Sequence, residues 1–129
     1  MTFRFPLLAL SLALMTTDTM ALDVAAGEKS FNKCRACHQV GETAKNTVGP
    51  ILNGLFGRKS GTVAGYNYSD ANKNSGLTWD DAVFTDYIKD PKGNIPGTKM
   101  SFAGIKNEQE IKDLAAFLKQ FAADGKKGS

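Results

Sequence analysis

Apolar residues return at helical spacing in three stretches of the chain. In the first, Val24, Gly27 and Phe31 fall on one face behind Asp23, a residue suited to capping a helix start. The pattern predicts a helix from there to about Lys33. Gly27 is costly inside a helix, and close approach of a second helix is the compensation expected for it. In the second stretch Phe84, Tyr87 and Ile88 stand at i, i+3 and i+4. Thr78 and Asp81 form a capping-box-like start, and Pro91 is the stop. In the third, Asn107 and Glu110 carry the spacing of a capped start, and Ile111, Leu114, Ala115, Leu118 and Phe121 make an apolar stripe. The small, charged tail over 124–129 is expected to fray.

Between the first two helices the period disappears. Residues 41–76 are rich in Gly, Asn, Ser, Thr and Lys. A loop of that length is either disordered or functional. Val48, Pro50, Ile51, Leu52, Leu55 and Phe56 interrupt it, so it is no solvated linker and needs an apolar object to wrap. Ser69 can cap one short turn over 70–73. A second loop covers 94–100, where Pro96-Gly97 suits the centre of a type II turn. There are no internal repeats and no domain linker, so the expected fold is all-α, a few helices with long loops.

Composition adds limits. The chain has 129 residues, 42% of them hydrophobic, and a net charge of +3. That is one small domain with a modest core. The charge is too small, and the lysines too scattered, to argue for nucleic acid. Residues 1–21 are expected to be a secretory leader: Arg4 is a weak basic start, residues 6–15 are an apolar run too short to span a bilayer, and Thr19-Met20-Ala21 places cleavage after Ala21. The alternative is an uncleaved leader serving as an anchor. Removing Arg4 and Asp18 takes 16 basic and 13 acidic residues to 15 and 12, so the charge of the domain over 22–129 stays +3.

The chemistry concentrates in Cys34-Arg35-Ala36-Cys37-His38, the C-x-x-C-H spacing of covalent haem attachment. Two thiols on one helical turn can each form a thioether to a porphyrin vinyl group, and the adjacent imidazole is then held under the ring. Cys34, Cys37 and His38 are the only cysteines and the only histidine. A structural zinc site wants four such ligands, and three exist. A thioredoxin-like pair expects a preceding strand, and no alternating run precedes Cys34. A disulfide staple would leave His38 without a purpose. In an oxidising compartment two free cysteines would pair, whereas thioethers to haem consume them irreversibly.

An iron held by His38 has a second face. A second histidine, a methionine thioether or an open site are the usual choices. No second histidine exists, and beyond residue 21 the sole methionine is Met100, 62 positions after His38 and just past the Pro-Gly turn. Met100 is therefore the expected sixth ligand. The competing readings are Met100 as core filler and ligation by Lys99.

Taken together, the chain resembles the class I c-type cytochromes, and most of all the mitochondrial cytochrome c and bacterial cytochrome c2 group. The similarity runs from about Gly27 to Lys119. It rests on Phe31, the Cys34 to His38 motif, Gly49-Pro50-Ile51-Leu52, Gly57-Arg58-Lys59-Ser60-Gly61, Tyr66-Asn67-Tyr68-Ser69-Asp70-Ala71-Asn72-Lys73, Gly76-Leu77-Thr78-Trp79 and Ile95-Pro96-Gly97-Thr98-Lys99-Met100-Ser101-Phe102-Ala103-Gly104-Ile105. The resemblance implies that the Pro50 carbonyl accepts from the free ring nitrogen of His38. It implies that Arg58, Tyr68 and Trp79 donate to a buried haem propionate, and that Asn72, Tyr87 and Thr98 form a polar network near Met100. It implies that Gly27 lets the first helix cross the last, against Leu114 and Phe117. Two departures stand out: Phe117 replaces a frequent tyrosine, and Asn46 replaces the second histidine usual in mitochondrial members, so a loop-tying hydrogen bond must be made differently.

The function expected from all this is a soluble single-electron carrier and not an enzyme. It would hold one haem c and work as a monomer in the periplasm. It would shuttle between membrane respiratory or photosynthetic complexes, such as a cytochrome bc1-type donor and an oxidase or reaction-centre acceptor. Docking is expected to be transient and electrostatic, through Lys33, Lys92, Lys99 and Lys106 around an exposed haem edge. The rival is a haem peroxidase or small-ligand sensor, which needs an open sixth position.

Overall fold

A computed structural model describes residues 1–3, 9–13 and 22–128. The ends of the apolar run over 6–15 and the cleavage point after Ala21 lie outside those residues. The described part of that segment presents Phe3, Leu10 and Leu12 as exposed side chains, not packed on the domain. No helix among the described residues is long and apolar enough to cross a membrane.

Among the described residues five helices follow in order: α1 (Val24–Phe31), α2 (Asp70–Lys73), α3 (Asp81–Lys89), α4 (Pro91–Asn94) and α5 (Glu108–Lys119). Among the described residues, strand-like pairing is limited to two isolated bridges, Lys59 with Thr78 and Phe121 with Lys127, so the class is all-α. Asp23, Ser69 and Asn107 cap α1, α2 and α5 as their spacing predicts, each side chain accepting from a backbone N–H of its first turn. The start of α3 differs from expectation. Asp80 is the cap, accepting from the Val83 N–H at 2.8 Å, because Thr78 is held in the bridge to Lys59. Pro91 does end α3, but it also opens α4, with Asp90 as its cap. At Pro96-Gly97 the Thr98 N–H donates to the Ile95 carbonyl at 3.0 Å and Gly97 takes φ +91°, the type II arrangement.

The frame is the crossing of α1 over α5. A Cβ on Gly27 would overlap the Asp113 carbonyl and lie 2.8 Å from Phe117 Cβ. The nearest atoms are those of the Asp113 backbone and Phe117, and Leu114 is buried in the core. Phe31, fully buried, stacks on Phe117 with ring centroids 5.3 Å apart. Asp113 accepts from the Asp23 N–H at 3.0 Å, pinning one end of α1. At the other end Glu110 accepts from the Ser30 hydroxyl at 2.9 Å and pairs with Lys33. Gly27→Ala should therefore destabilise the protein by about 3 kcal/mol or more, at the top of the overpacking range, because backbone and not a flexible side chain occupies the space. Denaturant unfolding of the holoprotein measures it; a loss below about 1 kcal/mol would mean the helices part easily.

Over residues 124–128 the tail is not frayed. Phe121 pairs with Lys127, and the Gly128 N–H donates to the Gln120 carbonyl at 2.8 Å. The reason is tertiary: Gly125 is buried against the backbone of Gly41.

Candidate haem site

The α1 C-terminus runs straight into the Cys34 turn. The Cys34 N–H donates to the Phe31 carbonyl at 2.8 Å, and the Cys37 and His38 N–H groups both return to the Cys34 carbonyl. That winding presents Cys34, Cys37 and His38 together on the wall of one cavity of about 420 Å³. Met100, Arg58, Tyr68, Asn72, Trp79, Tyr87 and Thr98 line the same cavity, so every cofactor residue picked out in the sequence is brought to it. Leu55, Phe84, Ile88, Leu114 and Leu118 complete its apolar wall.

His38 is prepared as a ligand. Its Nδ1 lies 2.8 Å from the Pro50 carbonyl oxygen, which fixes the proton there and leaves the Nε2 lone pair free. Burial pulls its pKa below the usual histidine value, and Arg58 adds to that, against the opposing pull of the Pro50 hydrogen bond. The ring is therefore neutral at neutral pH. Gly49 presses on the imidazole face: a Cβ there would lie 2.7 Å from Nδ1 and 2.9 Å from Nε2. Sequence reading assigned Gly49 no role, and its only signal was its place before Pro50. Burial also pushes the Cys34 thiol up to about 11, against Lys33, so it rests as a thiol.

Met100 is held from one side. The Tyr87 hydroxyl donates to its sulfur at 3.0 Å, and the Thr98 hydroxyl accepts from its backbone N–H at 3.3 Å. Burial pushes the Tyr87 phenol up, and the neighbouring Thr98 tempers that push. Asn72 lines the cavity but is not part of this network; its side-chain oxygen accepts from the Ser69 hydroxyl. Trp79 stacks edge-on against Tyr87 at 4.9 Å.

The polar wall is incompletely paired. Arg58 spends Nη1 on the Ile51 and Asn53 carbonyls, and Tyr68 accepts from the Val63 N–H at 3.0 Å. The remaining Arg58 donors, the Tyr68 hydroxyl proton and the Trp79 indole N–H find no acceptor among the described residues. Unused donors on three residues at the wall of an apolar cavity fit a buried carboxylate. With two thiols, an imidazole with a free lone pair and a thioether on the same wall, the donor set fits a haem whose propionate is sequestered. Asn46 makes the loop tie that its substitution for histidine put in question: it donates to the Ala64 carbonyl at 3.1 Å and accepts from the Ile51 N–H at 2.9 Å.

Lysines divide. Lys33 and Lys99 line the cavity, and Lys92 and Lys106 do not. Lys33 is paired with Glu110, Lys99 donates to the Asn67 carbonyl at 3.0 Å, and Lys106 reaches the Lys89 carbonyl.

The Cytochrome c family model matches residues 24–122. Cytochrome c2 of Blastochloris viridis is 60% identical over 116 residues, covering 90% of this chain and 91% of that protein. Cytochrome c-550 of Bradyrhizobium diazoefficiens is 71% identical over 102 residues, 79% of this chain and 75% of that one. Among solved structures, cytochrome cH from Methylobacterium extorquens superposes with a TM-score of 0.72 at 49% identity, over 76% of this chain and 98% of its own. The thiols, the imidazole and the thioether around one cavity thus belong to a chain that is a member of the cytochrome c family, a class I electron carrier of the c2 group with one covalent haem c.

Proposed function

We propose that Cys34 and Cys37 bind the haem through thioethers, that His38 and Met100 are its axial ligands, and that the protein shuttles electrons between membrane complexes in the periplasm. Residues 1–21 would be its export leader. The observation that supports the ligand assignment is the convergence of His38, with Nδ1 occupied and Nε2 free, and Met100 on one apolar cavity. Bound there, haem supplies a reversible one-electron couple. The chain's residues keep that couple efficient. Pro50 and Gly49 fix the imidazole, while Tyr87 and Thr98 fix the thioether. Arg58, Tyr68 and Trp79 donate to a propionate, with Asn72 at the cavity wall beside them. The apolar wall excludes water, so little reorganises when charge changes. A methionine–histidine pair favours the ferrous state, which suits the high-potential end of a respiratory or photosynthetic chain. A peroxidase or ligand sensor would keep the sixth position open. The ferrous holoprotein is thus expected to resist carbon monoxide at neutral pH, and ready binding would return the open-site reading.

Docking is assigned to the cavity mouth. Lys33 and Lys99 are the charges placed there, with Lys92 and Lys106 as outlying contributors, facing a cytochrome bc1-type donor and an oxidase or photosynthetic reaction-centre acceptor. Because Lys33 already carries Glu110, reversing its charge would set two carboxylates together and disturb the crossing of α1 and α5. Neutral substitution is the cleaner test. Lys33→Gln with Lys99→Gln should slow association with a membrane partner on the order of tenfold at low salt, within the range that steering supplies. The difference should shrink as salt rises, and the potential should hardly move. Equal slowing by Lys112→Gln with Lys126→Gln, neither of which lines the cavity, would show that only net charge matters.

A further inference from the structure

The family match ends at residue 122, and the segment around and beyond that point is closed on itself. Phe121 and Lys127 form an antiparallel bridge. The Ala122 N–H donates to the Lys126 carbonyl at 3.0 Å, and the Gly125 N–H to the Ala122 carbonyl at 2.8 Å. One side of this small hairpin sits on Gly41. Gly125, buried and at φ +83°, approaches so closely that a Cβ would overlap the Gly41 carbonyl and lie 2.6 Å from the Glu42 nitrogen. The other side holds Gly54, whose N–H donates to the Phe121 carbonyl at 2.9 Å. A Cβ on Gly54 would lie 3.0 Å from Ala123 Cα.

Gly41 and Gly54 are the two ends of the loop that carries Pro50. The Asn53 amide closes that loop, accepting from the Gly41 N–H and donating to the Gly41 carbonyl, each at 2.9 Å. The Leu52 N–H donates to the Gln39 carbonyl at 3.1 Å. Two residues before Leu52, the Pro50 carbonyl meets His38 Nδ1 at 2.8 Å. We propose that residues 121–128 are a latch: by clamping both ends of the 41–54 loop, they hold the Pro50 carbonyl on His38 and so position its imidazole. These are positioning residues, since none of them lines the cavity. A loop with its ends fixed samples fewer conformations, and an imidazole with a constant Nδ1 partner keeps a constant basicity at the other nitrogen. The contacts are made by backbone and glycine, so Gly125 is the residue that cannot be replaced: it needs both a positive φ and the absence of a Cβ.

The inference rests on the assignment of His38 as iron ligand only in its potential readout, and the exchange readouts stand without it. The test uses the full-length holoprotein with Gly125→Ala and Gly125→Val, and a variant lacking residues 124–129, which adds no bulk and decides the matter if the valine variant does not accumulate. Native-state hydrogen exchange at the Gly41 and Leu52 amides and at the His38 ring N–H should quicken at least about tenfold. Amides in α5, such as those of Leu114 and Ala115, should stay within about twofold. The midpoint potential should rise as the imidazole loses its constant hydrogen-bond partner. Unchanged loop exchange overturns the latch. So does quickening that is uniform and includes α5, which marks simple destabilisation, or loop quickening with an unchanged His38 ring proton. A quickened ring proton with a flat potential supports the latch and overturns the ligand assignment instead.

Discussion

Met100→Ala is expected to keep its haem and to lose a few tenths of a volt in midpoint potential, within the ~0.8 V that axial ligation spans. Attachment depends on Cys34 and Cys37, which the substitution leaves alone, so covalent haem per chain should match the wild type by intact mass. The potential should fall because a thioether favours ferrous iron. A second effect acts in the same direction. Tyr87 donates to the Met100 sulfur at 3.0 Å, and with the sulfur gone its buried hydroxyl needs another acceptor. Water is the available one, and water beside the iron favours the more highly charged ferric state. Carbon monoxide, which the wild type is expected to resist, should then bind the ferrous variant readily. An unchanged potential with continued resistance to carbon monoxide would remove Met100 from the iron and leave Lys99, which lines the same cavity, to be tried next.

What the sequence disclosed depended on whether the information was local. The buried faces of α1, α3 and α5 were legible because Phe31, Phe84, Tyr87, Ile88, Ile111, Leu114 and Leu118 repeat at the helical period, and all are buried. The choice between Thr78 and Asp80 as cap was not legible. Both residue types cap well, and a bridge to Lys59 from a distant part of the chain decided between them. The tail misled for the same reason: its composition reads as frayed, while the contact that orders it is with Gly41, more than eighty positions away. At the site, residue types restricted the cavity's donor set strongly, because one histidine, two cysteines and one methionine beyond residue 21 left few combinations. Side-chain partners were less accessible. That Asn72 bonds Ser69 instead of joining Tyr87 and Thr98 follows from the cap geometry of α2, which spacing alone does not give. Lys92 and Lys106 lie in sequence near residues of the site, yet neither lines the cavity.

His38→Ala should all but abolish holoprotein, and two independent losses lead there. The first is chemical. The motif presents His38 beside Cys37, so removing it strips the imidazole from the segment on which both thioethers must form. The second is energetic. Without haem the apolar wall of a cavity of about 420 Å³ packs against nothing, and the burial that the cofactor supplies is lost from a domain whose whole stability is typically about 5–15 kcal/mol. The Pro50 carbonyl would lose its partner at a further cost of about 1–3 kcal/mol. Gly49 would lose the ring it packs against. Neither residue has another imidazole to turn to, since the chain contains one histidine. Covalent haem per polypeptide, read by intact mass and by haem absorbance, should fall at least about tenfold, a loss of the size that even removing a partner of a metal ligand can produce. Chain that escapes degradation should lack the exchange protection of α1 and α5, because the packing of those helices is continuous with the cavity wall through Leu114 and Leu118. A near-normal yield of haem-loaded protein would show that the thioethers form without this ligand. A folded but haem-free chain would show instead that the crossing of α1 over α5 is stable without the cavity being filled.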